Sequence, residues 1–146
     1  MNASEQGSPY PRPMLTVDVV VCVLEHATPR ILLVERANPP FAGSWALPGG
    51  FVEQGEQVHE AAPRELAEET GLRADRLELL GVYDTPGRDP RGWSVSAVFL
   101  ARLAREAAVA GADDASDARW FSADRLPRLA FDHGVIIADA LALLAA

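Results

Sequence analysis

The chain has 146 residues, 49% of them apolar and 23% charged, with a formal net charge of −8. That length and balance argue against a disordered chain and suit one packed domain with a sizeable core. The negative charge argues against a nucleic-acid or anionic-membrane partner, and an anionic substrate would need counter-charge from bound cations.

Residues 1–14 are polar, with prolines at 9, 11 and 13, and predict a flexible N-terminal arm ahead of a single domain at 15–146. No charged-then-apolar leader opens the sequence, so the expectation is a cytoplasmic protein. The longest apolar tract, Val135 to Ala146, contains Asp139 and is too short to span a bilayer. Leu15 to Leu24 is mostly apolar and β-branched and predicts a buried strand. Its Cys22 is the only cysteine, which leaves no intrachain disulfide and suggests an inert buried thiol. Arg30 to Arg36 predicts a second strand. Its end brings Arg36 to the next loop, to meet either a phosphate or a carboxylate. The loop Asn38 to Pro48 carries Phe41 and Trp45. An aromatic there can stack on a base or pack in the core or rim.

Gly50 to Leu72 is the most informative stretch: GFVEQGEQVHEAAPRELAEETGL. Its second half is built of good helix formers and closes on Gly71, a left-handed cap. At about 3.6 residues per turn, Glu65, Glu68 and Glu69 share one face. Like charges at that spacing cost stability, but carboxylate oxygens so clustered suit a hard divalent cation such as Mg²⁺ or Mn²⁺. Pro63 predicts that the helix starts late, near Glu60, or is kinked there. Arg64 lies off the carboxylates' face and should orient one of them, or a neighbouring loop, by hydrogen bonding.

Leu77 to Tyr83 predicts a strand, followed by a polar loop, Asp84 to Gly92, with Arg88 and Arg91. Guanidinium forks there can grip a diphosphate. Trp93 to Leu103 predicts a further strand. The acidic stretch around Asp113, Asp114 and Asp117 offers another carboxylate, with Glu106 a weaker choice. Arg119 to Phe121 predicts a short strand, Ser122 a brief helical turn, and Gly134 to about Leu144 a final amphipathic helix with Asp132 as N-cap. His133 can touch substrate, but the stronger expectation is that it caps that helix or lies at the surface.

The stretch from Gly50 to Leu72 matches G-x5-E-x7-R-E-U-x-E-E-x-G-U, with U aliphatic, at every specified position. The chain therefore resembles the Nudix hydrolase family over roughly Val17 to Leu144. Pro86 to Gly92 is similar to the Pro-x-Arg-Asp-Pro-Arg-Gly loop of family members acting on ADP-ribose. The resemblance implies an α/β fold: an α/β/α sandwich on a mixed sheet, with the box helix on one side and the C-terminal helix on the other. It implies a metal site of the Gly49 carbonyl, Glu65, Glu68 and Glu69, loaded with Mg²⁺ or, in its place, Mn²⁺. Glu56 would hold metal through water or orient the cluster. Family analogy alone suggests a homodimer.

The expected function is metal-dependent hydrolysis of the diphosphate in a nucleoside diphosphate linked to another moiety, foremost ADP-ribose to AMP and ribose 5-phosphate. Catalytic residues would be Glu56, Arg64, Glu65, Glu68 and Glu69. Substrate-binding residues would be Arg36, Trp45, Arg88, Arg91 and Asp114. The alternatives are a nucleoside triphosphate pyrophosphohydrolase and a nucleotide-sensing module that binds without hydrolysis. Without metal, mutual repulsion among the carboxylates should raise at least one pKa.

Overall fold

A computed structural model describes residues 9–146 of the chain. Most of the expected N-terminal arm, residues 1–8, lies outside the described residues. The strand after it, β1 (Met14–Val23), begins one residue inside the expected arm, because the Met14 N–H donates to the Trp93 carbonyl. β2 (Arg30–Arg36) follows as expected. The loop before the glycines holds two short strands that the sequence did not announce, β3 (Trp45–Ala46) and β4 (Gly49–Phe51). Then come α1 (Val58–Thr70), β5 (Glu78–Tyr83), β6 (Ser94–Leu103), β7 (Ala115–Ser122) and α2 (His133–Ala145).

All seven strands form one sheet. β1 runs parallel to β6 along its whole length and antiparallel to β2 only at Cys22 and Val23. At its other end, β1 pairs antiparallel with β4 through Thr16, Val17 and Asp18. β1 is thus forked on one side, with β4 and β2 diverging from it.

Side chains alternate across the sheet, as a strand requires. Val17, Val19 and Val21 pack with Leu32, Phe99 and the α1 residues Ala61, Ala62 and Leu66. Val20 and Cys22 point the other way and pack with Ile31, Leu33, Leu100 and the α2 residues Ile136, Ile137 and Ala140. The two helices therefore cover opposite faces of a mixed sheet, the expected sandwich. Among the described residues, no helix is long and apolar enough to cross a membrane.

Three local expectations need correction. α1 starts at Val58, not near Glu60, with the Gln57 N–H donating to Glu60 Oε1 at 3.3 Å. Pro63 therefore lies inside the helix, beyond its first turn. β7 extends from Ala115 to Ser122 because it pairs with all of β2, so tertiary pairing overrides the weak local signal of the Ala-Ser-Asp start. The residues after Ser122 form a turn rather than a helix.

Candidate active site

A cleft of about 350 Å³ opens where β4 and β2 part from β1. β1 contributes Thr16 and Asp18, β2 contributes Arg36, and the strip from Leu47 to Phe51 forms one wall. α1 contributes Glu65 and Glu69. Arg91, Asp114 and Phe131 also line the cleft.

Glu69 is 8% exposed, and its Oε1 accepts a hydrogen bond from the Gly49 N–H at 2.8 Å. Burial pushes its carboxyl up to about 8, against that bond, with the charges of Glu65, Asp18 and Asp114 adding to the rise. Burial also raises the Glu65 carboxyl, against its bond to Arg64, with Glu68 and Glu56 adding to it. Repulsion among carboxylates was the expected cause of such shifts. In the folded chain it is real but smaller than desolvation.

Glycine is required beside these carboxylates. A Cβ on Gly50 would lie 2.5 Å from the Glu65 carboxyl carbon, and one on Gly49 would lie 2.2 Å from the Val17 carbonyl oxygen. The backbone can approach α1 at Gly50 and β1 at Gly49 only because neither residue has a side chain.

Glu68 departs from the expected shared face. Its side chain is 45% exposed and pairs with Arg64 Nη1 at 3.1 Å on the rim. Arg64 spreads its fork over three carboxylates. It donates to both Glu56 oxygens at 2.6 and 2.8 Å, to Glu65 at 2.9 Å and to the Phe51 carbonyl at 3.2 Å. These bonds hold the Glu56 carboxyl down to about 2. Arg64 and Glu56 thus form a bracket beside the cleft; Arg64, read from the sequence as off the carboxylates' face, reaches both Glu65 and Glu68.

Among the described residues, no three His, Cys, Asp or Glu side chains already stand grouped to hold a metal ion. The residues nonetheless fit a hard divalent cation. The donors are all carboxylate oxygen, Gly50 leaves room beside Glu65, and a bound cation would stabilise the Glu69 charge that burial disfavours.

The same cleft carries basic and aromatic side chains. The Arg36 and Arg91 guanidinium carbons stand 5.0 and 5.5 Å from the Phe131 ring centre. Arg91 also stands 5.2 Å from the Phe51 ring and pairs with Asp89 at 2.8 Å. Phe41 meets Phe131 edge-on at 4.9 Å. Burial lowers the Arg36 pKa, and the charge of Arg91 adds to the fall. Both guanidinium groups around this ring already hold partners: Arg91 donates to both Asp89 oxygens at 2.8 and 3.1 Å, and Arg36 Nε donates to the Pro40 carbonyl at 2.7 Å.

Two expected substrate contacts are corrected. The Arg88 side chain is 4% exposed, doubly bonded to Asp132 at 2.7 and 2.9 Å and to Ser94 at 2.8 Å. Its fork is spent inside the protein. Trp45 does not line the cleft. Its ring meets Phe121 edge-on at 4.9 Å, on the α2 side of the sheet.

Asp18 was not anticipated at the site, and His133 lines the cleft, the less favoured of its two expected placements. Asp18 is a lone carboxylate in an apolar strand, a signal available in the sequence. His133 is buried, against the expectation of a cap or surface residue. Asp132 is the N-cap, but its side chain makes no capping bond because Arg88 holds it.

Comparison with known proteins agrees with this arrangement. The model of the NUDIX domain family matches residues 14–140. The chain is 48% identical over 130 residues to the ADP-ribose pyrophosphatase of Methanocaldococcus jannaschii, covering 89% of this chain and 74% of that protein. It is 36% identical to the ADPR responsive transcriptional repressor NtrR of Acinetobacter baylyi, covering 97% of this chain but 58% of that longer protein. Among solved structures, the NUDIX domain of Shewanella oneidensis NrtR complexed with ADP ribose superposes with a TM-score of 0.86 at 34% identity, over 99% of each chain.

Proposed function

This chain belongs to the NUDIX domain family, and we propose on that premise that it is a hydrolase cleaving the diphosphate of ADP-ribose to AMP and ribose 5-phosphate. The observation that carries this reading is the mixed lining of the cleft at the fork of β1, where Glu65 and Glu69 share one concave surface with Arg36 and Arg91. A diphosphate, met by cations held on the carboxylates and by guanidinium groups, suits that lining.

Glu65 and Glu69, with Glu68 at the rim and the Gly49 backbone beside them, would hold Mg²⁺ or Mn²⁺. Bound there, such an ion would neutralise the diphosphate and acidify the attacking water. The protein's own groups do the positioning. The Gly49 N–H fixes Glu69, and Arg64 fixes Glu65 and Glu56. Arg36 and Arg91 hold phosphate oxygens while Phe131 sets their spacing.

A second reading, a sensor that binds ADP-ribose without turning it over, draws support from the similarity to a transcriptional repressor. Incubation with Mg²⁺ and a panel of ADP-ribose and nucleoside triphosphates, with products read by mass, separates these readings. AMP and ribose 5-phosphate from ADP-ribose support the hydrolase. ADP-ribose that is bound but intact supports the sensor, and pyrophosphate released from triphosphates would replace both.

A further inference from the structure

We propose that His133 is a positioning residue: it pins the glycine strip against Glu69, and the part-buried Arg88–Asp132 pair sets where His133 stands. Leu47 lies between β3 and β4, and its buried N–H goes to a side chain, donating to His133 Nδ1 at 3.0 Å. That bond leaves Nδ1 without a proton, so the neutral ring carries its proton on Nε2. Nε2 faces Asp18 Oδ1 at 3.5 Å. Asp18 Oδ2 in turn accepts from Ser96 Oγ at 2.6 Å. One imidazole therefore ties the strip to β1 and β6 from within the core.

The ring's own place is fixed by its neighbour. Asp132 is held by both arms of Arg88, which also reaches Ser94 on β6. The chain of bonds thus runs from the Asp84–Gly92 loop through the start of α2 to Leu47. Two residues further on, the Gly49 N–H meets Glu69, and between them the Pro48 carbonyl accepts from the Val19 N–H. Removing the acceptor would leave the Leu47 N–H buried and unpaired. The strip would then shift to satisfy it and carry Gly49 away from Glu69. A displacement of about 1 Å in catalytic machinery costs on the order of a hundredfold in rate.

The inference rests on the proposed hydrolysis for its kinetic arm only. His133→Leu removes the acceptor at similar bulk, whereas His133→Asn puts an amide oxygen near the place of Nδ1. In the Leu variant, kcat should fall roughly tenfold to a hundredfold with KM within about twofold, and the Asn variant should recover most of it. Amide hydrogen exchange on the metal-free proteins gives a readout without turnover. Exchange at Leu47 and Gly49 should quicken in the Leu variant, while Phe99 in β6 keeps its protection. Unchanged exchange and kcat in the Leu variant would overturn the proposal. So would a loss of protection spread evenly to Phe99 that Asn does not restore. If the wild-type protein hydrolyses nothing, the functional reading fails, and the exchange pattern still decides the role of His133.

Discussion

Replacing Glu69 by Gln isolates the buried charge from everything else at that position. The amide keeps the size of the side chain and a carbonyl oxygen for the Gly49 N–H, now 2.8 Å from Oε1. What it removes is a carboxylate whose pKa burial has moved from 4.5 to about 8. A displacement of that size separates the two protonation states by on the order of 5 kcal/mol. Because the folded value lies above the unfolded one, the neutral group's contribution to stability is complete below about pH 4.5. It drains away as pH rises towards 8. In metal-free wild-type protein the loss by pH 7 is on the order of 3 kcal/mol. Urea denaturation in the presence of a chelator, at half-unit steps from pH 5 to 8, should show wild type falling steadily behind Glu69→Gln. Adding Mg²⁺ should recover the wild type at pH 8 and do little for the variant, since only the ionised site binds it. Turnover by the variant should be lower by roughly a hundredfold or more. A stability difference that stays flat from pH 5 to 8 would refute the claim that this carboxylate ionises against its burial.

Other substitutions probe the remaining parts. Gly50→Ala should abolish most turnover with little change in circular dichroism, since the new methyl meets the movable end of Glu65. Gly49→Ala should also lower the melting temperature, because it strikes the Val17 backbone. Arg64→Lys should lower kcat about tenfold, since an ammonium cannot bond both Glu56 oxygens and Glu65 together; steady-state kinetics read this. Arg91→Ala should raise KM for ADP-ribose several-fold with kcat nearly kept, whereas Trp45→Phe should leave both unchanged. Arg88→Leu breaks a part-buried, doubly hydrogen-bonded pair and should lower stability in urea denaturation.

The sandwich was legible because it rests on period and spacing. The alternation of Val17, Val19 and Val21 against Val20 and Cys22 reads directly as a strand buried on both faces. Gly71 ends α1 where a left-handed residue is needed, at φ 76°. The box carboxylates were legible as a group, but their division was not. Helical spacing puts Glu68 near Glu65 and Glu69, yet Arg64 draws it to the rim, and that depends on where the Glu56 loop folds. Arg88 and Arg91 look alike in the sequence, three residues apart in one loop. Only tertiary structure pairs Arg88 with Asp132, 44 residues away, and leaves Arg91 with Asp89, although both arginines line the cleft. The same distance in sequence hid His133, whose partner Leu47 lies 86 residues away. The short strands β3 and β4 escaped notice because Gly and Pro, which punctuate loops, here serve close backbone approach.

The central claim is that Glu65 and Glu69 hold a divalent cation against the diphosphate of a bound nucleotide. Titration of Mn²⁺ into metal-free protein, followed by electron paramagnetic resonance with and without AMP, tests it directly. Wild-type protein should take up Mn²⁺, more tightly with AMP present, and Glu65→Gln and Glu69→Gln should each lose that uptake while remaining folded. Equal Mn²⁺ uptake by all three proteins would contradict it.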